Sequence, residues 1–367
     1  MYTLTQKMEQ FQINYPLEKI TSLENFLFVD IETTGFTAKS SSLYMIGIAF
    51  YSQGGWYITQ YFAETPSQEI ELLQAFSEKI KEYSHLVHFN GNNFDLPYLM
   101  QKCQQHDISC DLDSLCGIDI YKRIAPYKFF LKLPNCKQKT IESFLEINRI
   151  DTFNGGELIG IYKDYVNEPT DFARTILMQH NFDDMKGMLE ILPILAYSDI
   201  FDGKITAKKV QANHYTDFSG NSRKELLMTL NLPSNLPKAI SIAANDCYFR
   251  GEGNTATLKV PIYEEELKYY YANFKDYYYL PTEDVALHKS VAGFVDREHR
   301  IPATAATCYT RKFSCYLPQW NILVEPFFKR DYKSKHLYFE LTDEIKRDRE
   351  TFHKYACHIV DMIASSY

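Results

Sequence analysis

The pattern of apolar and polar positions predicts alternating strands and helices over the first half of the chain. Short apolar runs predict strands at residues 26–30, 43–51, 56–62 and 86–89. The polar segment 52–55, which ends in two glycines, indicates a hairpin between the second and third of these strands. Apolar residues at helical spacing predict helices at 66–83, 96–106 and 169–197. This order is typical of an α/β domain, in which helices flank a sheet.

The remaining segments predict a leader and a second, smaller domain. Residues 1–24 are mostly polar and are expected to form an N-terminal leader before a domain at 25–203. Asp202 and Gly203 indicate the boundary to a C-terminal α+β domain at 204–367, whose role the sequence leaves open. In that domain we expect a helix at 222–229, a hairpin that turns at 251–254, several short strands and a closing helix at 342–363.

The composition is that of an ordinary globular protein, with 45% hydrophobic and 23% charged residues. The chain has no apolar run long enough for a membrane span, and its first residues lack the charged start and apolar stretch of a signal peptide. The 8 cysteines include no CxxC pair, which indicates reduced thiols rather than a disulfide framework. We therefore expect a cytoplasmic protein that does not associate with membranes.

Three separate segments carry acidic residues at predicted strand ends or on a helix face. Asp30 and Glu32 are two residues apart on a strand, so both side chains point to one face. Asp95 follows an Asn/Gly turn at a helix start, and His180 and Asp184 are four residues apart on one helix face. Paired carboxylates repel unless cations lie between them, and such hard oxygen ligands suit Mg²⁺ or Mn²⁺. Taken singly, each segment is more commonly structural: a strand end in solvent, a helix N-cap and a solvated helix face.

The charge of the chain is uneven. The formal net charge is −8, from 39 basic and 47 acidic residues, which argues against a general nucleic-acid binder. Residues 286–335, however, hold 9 basic and 4 acidic residues. A mildly basic second domain beside an acidic metal site suits an enzyme that acts on phosphodiesters, and chance variation of surface charge explains it equally well. The Tyr-rich segment 269–279 predicts either a surface that stacks single-stranded bases or, more commonly, an ordinary strand.

Taken together, the acidic segments resemble the motifs of the DEDD 3′–5′ exonucleases of the ribonuclease H-like superfamily. The first family motif, D-x-E-T/S-T-G, is matched by Asp30, Glu32, Thr33, Thr34 and Gly35. The second motif, N-x-x-x-F/Y-D, is matched by Asn90, Phe94 and Asp95. The third, an Asp preceded by Tyr or His on a helix, is matched by Asp184 and His180. The order and spacing of the three motifs make the resemblance more specific than any one of them.

The stretch between the second and third motifs resembles the connector of the YprB-like branch. This resemblance lies in residues 139–145, 148–149 and 155–158 and in Tyr162. The whole resemblance covers about residues 24–196 and implies a ribonuclease H-like fold, a mixed five-stranded sheet flanked by helices. Three residues separate His180 from Asp184, which is the spacing of the Tyr-type group, so His180 occupies the position of that tyrosine.

The resemblance implies hydrolysis of phosphodiester bonds in DNA or RNA with two Mg²⁺ or Mn²⁺ ions, about 3.5–4 Å apart. The ions would be bound by Asp30, Glu32, Asp95 and Asp184, and His180 would orient or deprotonate the attacking water. The remaining motif residues, Thr33, Thr34, Gly35, Asn90 and Phe94, would contact the substrate or shape its site. The expected partner is a nucleic acid that is single-stranded or has a free 3′ end.

Two other functions remain open. The chain could be a non-catalytic nucleic-acid-binding or scaffold protein that retains the ribonuclease H-like fold, although four converging acids without metal would destabilise it. It could also be a metal phosphohydrolase for a small nucleotide, which would use the same ions and the same acids. The sequence leaves the preference for DNA or RNA and the oligomeric state undetermined.

Overall fold

The computed structural model describes residues 1–149, 153, 155–217 and 219–366. These residues form two compact units. The first unit comprises residues 1–198 and 236–238, and the second comprises 199–235 and the chain from 239 onward. Within the described ranges, no helix combines the length and the apolar composition that a membrane span requires.

The first unit is built on a mixed sheet of six strands among its described residues. The strands are β1 Tyr2–Met8, β2 Phe26–Thr33, β3 Leu43–Ser52, β4 Gly55–Phe62, β5 His85–His88 and β6 Cys116–Asp119. Their order in the sheet is β1-β4-β3-β2-β5-β6. The first four strands pair antiparallel, and β5 and β6 join them in parallel to β2. The predicted hairpin between β3 and β4 is confirmed.

Helices cover both faces of this sheet. They are α1 Glu69–Lys79, α2 Asp95–Gln105, α3 Ile120–Ile124, α4 Gln138–Phe144, α5 Gly155–Asn167, α6 Asp171–Glu190 and α7 Leu195–Asp199. One apolar cluster joins Leu27, Val29 and Ile31 of β2 to α1 and α2. A second cluster joins Tyr44 and Phe62 on the opposite face to α5 and α6. Because strand side chains alternate, Asp30 and Glu32 lie on the side of β2 that faces α6.

The expected leader and the expected strand count differ from the structure. Tyr2–Met8, expected in the leader, forms β1 and pairs along its whole length with β4, so the sheet has six strands instead of five. The reason is visible in the side chains: Tyr2 and Leu4 alternate with polar residues and pack against the cluster that contains Phe62 and Leu177. Because only one face of this edge strand is buried, polar residues alternate with apolar ones, and the segment resembles a polar leader in sequence.

The second unit is rich in strands. They are β7 Thr206–Thr216, β8 Ser222–Ala244, β9 Cys247–Tyr270, β10 Tyr277–Leu280, β11 Val285–His288, β12 Ile301–Pro302, β13 Tyr309–Gln319, β14 Phe327–Phe328 and β15 Leu337–Glu340. Six of these form a sheet in the order β14-β15-β13-β9-β8-β7, and β11-β10-β12 form a second sheet. The helices are α8 Lys289–Ala292, α9 Asp343–Arg347 and α10 Arg349–Ser365. The last two agree with the predicted closing helix.

Two expectations for this unit are wrong. Residues 222–229, expected as a helix, belong to β8, whose alternate residues Leu226, Met228 and Leu230 are buried. The hairpin expected to turn at 251–254 turns instead at Asn245 and Asp246, which have φ values of 49° and 62°. Asn and Asp tolerate this left-handed conformation, so a turn without glycine closes two strands of more than twenty residues each.

Candidate active site

The acidic end of β2 lies against α6. Asn181 on α6 donates a hydrogen bond from Nδ2 to Oδ2 of Asp30 at 3.1 Å. Burial raises the pKa of Asp30 well above its ordinary value, and three neighbouring acids raise it further: Asp184, Asp95 and Glu32. The Asp30 carboxylate therefore lies in an environment that disfavours its negative charge unless a cation is close.

His180 on α6 joins two of the predicted acids. Its Nε2 lies 3.5 Å from Oε1 of Glu32 and 3.1 Å from Oδ2 of Asp184. One ligand atom from each of Glu32, His180 and Asp184 lies within 4.8 Å of the others. The four-residue spacing on the helix places His180 and Asp184 on one face, as the sequence predicts. A carboxylate from β2 and two groups from α6 thus converge beside Asp30.

The close approach of α6 to the sheet depends on a glycine in β3. A Cβ atom at Gly47 would lie 2.3 Å from Oδ1 of Asn181 and 2.8 Å from Cγ of Met185. Asn181 is fully buried, and its Oδ1 accepts a hydrogen bond from Nε2 of Gln60 at 3.0 Å. Sequence reasoning missed Asn181 and Gln60, although Asn181 is adjacent to His180 in the third motif.

Asp95 approaches the same strand end from another direction. It is the first residue of α2, and its carboxylate is buried. Burial raises its pKa to about 6, while backbone hydrogen bonds from its own amide and from Ile31 act in the opposite direction. The bond to Ile31 ties Asp95 to β2 between Asp30 and Glu32.

The turn before Asp95 is fixed by a second buried acid. Asn90 has a φ of 61°, and its backbone N–H donates to Oδ1 of Asp119 at 2.9 Å. The N–H of Asn92 donates to the other oxygen of Asp119 at 3.4 Å. The Asn90 side chain accepts a hydrogen bond from Asn93. Asp119, at the end of β6, is a residue that the motif comparison does not identify.

The segment after β2 forms a tight loop. Both Thr33 Oγ1 and Ser41 Oγ donate to the carbonyl of Gly35, at 2.9 and 3.0 Å. Thr34 Oγ1 accepts the backbone N–H of Ser42 at 2.8 Å. These hydrogen bonds fix the shape of the loop that follows the acidic strand end.

An exposed aromatic residue follows this loop. The side chain of Phe36 is 89% exposed, and its ring lies 6.1 Å from the ring of Phe94 in an edge-on arrangement. Phe94 itself packs partly against the core cluster beneath α2. Phe94 is predicted by the second motif, whereas Phe36 is not, although a large apolar residue directly after Thr-Thr-Gly is a signal for an exposed ring there.

A buried ion-pair network contacts Asp184 from the side opposite His180. Arg149 donates from Nη2 to Oδ1 of Asp184 at 2.7 Å and from Nη1 to Glu142 at 3.1 and 3.3 Å. Gln138 donates from Nε2 to Glu142 at 3.0 Å and to the Asp184 carbonyl at 2.9 Å. Burial raises the pKa of Glu142, and the hydrogen bond from Gln138 and the charge of Arg149 counteract that effect. The sequence placed Arg149 only in the connector.

The ligand atoms of these acids and of His180 suit a hard divalent cation. Oxygen atoms from carboxylates dominate the set, desolvation raises the pKa values of Asp30 and Asp95, and an imidazole completes the group. Asp183, the other acid on this turn of α6, accepts a hydrogen bond from Gln179 at 2.8 Å and is not part of the converging group.

Comparisons with known proteins agree with the fold of the first unit. Residues 27–196, somewhat less than half of the chain, match the family RNase_H_2, described as RNase_H superfamily. Together with the mixed sheet and its flanking helices, this match gives the unit a ribonuclease H-like fold. A search of curated proteins finds no match.

Two solved structures are similar over part of the chain. The family B DNA polymerase of the archaeon Pyrobaculum calidifontis is 16% identical with a TM-score of 0.39, over 48% of this chain and 26% of that one. Exonuclease I of E. coli, in complex with a dT13 oligonucleotide, is 10% identical with a TM-score of 0.30, over 56% of this chain and 54% of that one. The chain thus spans about a quarter of the polymerase and about half of the exonuclease.

Proposed function

We propose that the ribonuclease H-like unit of this chain is a divalent-metal-dependent nuclease, a DEDD-type 3′–5′ exonuclease of the YprB-like branch. The observation that carries the proposal is the convergence of Glu32, His180 and Asp184 within 4.8 Å beside the half-buried Asp30. Four acids in one place are costly without cations, and they are the ligands that Mg²⁺ and Mn²⁺ prefer.

In this proposal Asp30, Glu32, Asp95 and Asp184 bind two Mg²⁺ or Mn²⁺ ions. The ions, when bound, lower the pKa of a coordinated water and neutralise charge on the phosphodiester. His180, whose Nε2 lies between Glu32 and Asp184, would orient the attacking water or accept its proton once those carboxylates bind the ions and no longer contact Nε2. Asn181 keeps Asp30 in place, and Arg149 keeps Asp184 in place.

The substrate we propose is a single strand of DNA or RNA with a free 3′ end. The exposed ring of Phe36, supported from the side by Phe94, provides a surface on which a terminal base stacks. The loop of Thr33, Thr34 and Gly35 and the turn at Asn90 border the acids and limit the space for the terminal nucleotide.

The decisive experiment compares the wild-type chain with Asp30→Asn on single-stranded DNA and RNA in Mg²⁺, Mn²⁺ or EDTA. With a 5′ label, a 3′–5′ exonuclease gives a ladder of shortening products, whereas a 3′ label gives the mononucleotide from the start. We expect the wild type to degrade the strand only with metal and Asp30→Asn to be inactive. The Asp30→Asn fold is expected to persist because the substitution removes a negative charge that desolvation and the neighbouring acids disfavour.

Asp171→Asn is the matched control, since Asp171 lies exposed at the start of the same helix α6. It is expected to keep wild-type activity. Full activity of Asp30→Asn would refute the proposal. Metal-dependent binding of the strand without hydrolysis by the wild type would instead identify a non-catalytic binding protein, and turnover of nucleotides alone would identify a small-nucleotide hydrolase.

A further inference from the structure

The second unit presents a row of basic side chains across three neighbouring strand segments. Lys268 on β9 lies opposite Arg311 on β13, and on its other side it lies opposite Lys329. Lys268 and Lys329 exchange both backbone hydrogen bonds, at 2.8 and 2.9 Å. Directly opposed residues of antiparallel strands share a face, with Cα atoms about 4.5–5.5 Å apart. The three cations therefore lie side by side.

This row is on the outer face of the sheet. The inward-facing neighbours form an apolar cluster that includes Leu267, Tyr316, Phe328 and Tyr338. Strand alternation then directs Lys268 and its opposed partners away from that cluster. Like charges placed directly opposite each other destabilise a sheet, so the arrangement costs folding free energy.

Acidic and aromatic side chains compensate part of the charge of the row. Nζ of Lys268 lies 4.1 Å from the ring centre of Tyr309, whose hydroxyl donates to Asp284. Arg311 donates to Glu266 at 3.4 Å and lies 3.8 Å from Asp284. Asp284 in turn accepts hydrogen bonds from two tyrosine hydroxyls. Over the described part of the chain, no carboxylate lies within ion-pair distance of Nζ of Lys268 or of Lys329.

Aromatic rings border the cations on the same surface. Phe313, two residues from Arg311 on the outer side of β13, is 66% exposed. Tyr332, just after Lys329 in the chain, is 46% exposed and contacts the ring of Tyr270 edge-on at 5.4 Å. Alternating cations and exposed rings are the combination that binds single-stranded nucleic acid: the cations contact phosphates and the rings stack on bases.

We propose that this basic face, defined by Lys268, Arg311, Phe313, Lys329 and Tyr332, binds a single strand of nucleic acid. Lys268, Lys329 and Arg311 contact the backbone phosphates, and Phe313 and Tyr332 stack on bases. A polyanion also removes the like-charge repulsion in the row, which gives binding a second source of free energy. The inference concerns the second unit and does not depend on the nuclease proposed for the first.

Binding is tested with the full-length Asp30→Asn chain, which keeps the probe intact. Fluorescence anisotropy with labelled dT20 and U20 is measured over a range of salt concentrations. Changing both Lys268 and Lys329 to Ala is expected to weaken binding about tenfold and to reduce the slope of log K against log salt by about 1.4, since each phosphate contact on a single strand contributes about 0.7. Phe313→Ala is expected to weaken binding by a similar factor without changing the slope.

The matched control changes Lys346 and Lys354 to Ala. These exposed lysines lie on α9 and α10 of the same unit, so the double substitution removes the same number of positive charges. It is expected to leave both affinity and salt slope close to those of the parent. If the control and the Lys268/Lys329 variant weaken binding equally, or if neither does, the inference is wrong. Binding of an acidic peptide in place of dT20 and U20 would also overturn it.

A separate readout distinguishes this inference from the nuclease proposal. In the wild-type background, hydrolysis of methyl p-nitrophenyl phosphate reports on the acidic site alone, because this small diester has no strand to contact the basic face. The Lys268/Lys329 variant is expected to hydrolyse it at the wild-type rate while its KM for dT20 rises. Absence of hydrolysis of both this diester and the strands by the wild type would refute the nuclease proposal and leave the strand-binding measurement unaffected.

Discussion

Arg149 donates a hydrogen bond to Asp184 at 2.7 Å through a guanidinium that is itself held by the buried Glu142. The other oxygen of Asp184 lies 3.1 Å from Nε2 of His180. Arginine stays charged at every working pH, and its planar fork fixes the orientation of a carboxylate. Arg149 therefore directs one oxygen of Asp184 toward the connector and leaves the other for the acidic site.

This relationship predicts that Arg149→Gln weakens metal binding. Loss of an outer partner of a metal-binding carboxylate typically reduces metal affinity about 10- to 100-fold. Electron paramagnetic resonance measures the Mn²⁺ concentration for half-maximal binding, and we expect it to rise by about that factor in Arg149→Gln. Arg149→Lys should give a value between those of the wild type and Arg149→Gln. Saturating Mn²⁺ should restore most of the activity.

Arg174→Gln is the control for this prediction. Arg174 is also an arginine paired with an acid of α6, but its partner is the exposed Asp171 at the start of the helix. Its Mn²⁺ dependence should equal that of the wild type. An Arg149→Gln variant with unchanged Mn²⁺ affinity and a raised KM for the strand would show that Arg149 contacts substrate instead.

The elements of the first unit could be predicted from sequence because their signals are local. The strand that carries Asp30, the turn before Asp95 and the helix that carries His180 each follow from apolar spacing over a few residues. The convergence of Glu32, His180 and Asp184 could be expected only from the joint order of the motifs. The contacts of Arg149 could not be predicted, since they join a residue after α4 to Asp184 on α6 across 35 positions.

The second unit was harder to predict because two local signals competed in one segment. Glu225-Leu226-Leu227-Met228 favours a helix by intrinsic propensity, yet burial at every second position from Leu226 places the segment in β8. The basic face could not be predicted from the sequence for a different reason. Lys268, Arg311 and Lys329 are far apart in sequence, and only strand pairing brings them together.

The packing of α6 on β3 predicts that Gly47→Ala impairs both stability and activity. The new Cβ atom would clash with Asn181 and Met185, at 2.3 and 2.8 Å. Overpacking of this kind costs about 1–3 kcal/mol in the free energy of unfolding. Displacement of Asn181 also removes the hydrogen bond that holds Asp30, so we expect a loss of metal-dependent hydrolysis. Urea unfolding and the strand assay measure the two effects.

Gly160→Ala is the same substitution at a position with room for a side chain, and we expect it to have the opposite effect on stability. Gly160 lies within α5, and a Cβ atom there would meet nothing within 4 Å. Alanine in a helix interior is favoured over glycine by about 0.5–1 kcal/mol, so this variant should be more stable and fully active. Equal stability of the two variants would mean that α6 does not pack on β3 as closely as described.

The raised pKa of Asp95 predicts a pH-dependent loss of stability in metal-free protein. Burial raises the pKa of Asp95 from 3.8 to about 6. Between these values the native state binds more protons than the unfolded chain, so the free energy of unfolding falls as the pH rises through that window. Asp95→Asn removes this penalty, which is about 3 kcal/mol at pH 8, since one unit of pKa difference corresponds to about 1.36 kcal/mol. The melting temperature in EDTA should rise by about 6–12 °C at pH 8 and change little at pH 4.

Asp113→Asn is the control, since Asp113 is an exposed acid of the same unit. Its melting temperature should follow the wild type at both pH values. Mn²⁺ should raise the melting temperature of the wild type at pH 8 and that of Asp95→Asn much less. A pH-independent difference between Asp95→Asn and the wild type would show that the Asp95 charge does not carry the penalty.

The exposed ring of Phe36 predicts a defect that is confined to strand binding. Phe36→Ala removes a side chain that is 89% exposed, so the free energy of unfolding should change by less than about 0.5 kcal/mol. Loss of one stacked base should raise the KM for a single strand about tenfold. Hydrolysis of methyl p-nitrophenyl phosphate, which offers no base to stack, should keep the wild-type rate.

The matched variant for this test is Phe172→Ala, which truncates another exposed phenylalanine at the start of α6. It should bind the strand as the wild type does, because Phe172 lies in the first turn of the helix and His180 lies two turns further on. A KM increase of equal size in both variants would point to a general loss of apolar surface. An increase confined to Phe36→Ala would place the terminal base against the loop that follows β2, since Phe36 belongs to that loop and its ring lies beside Phe94.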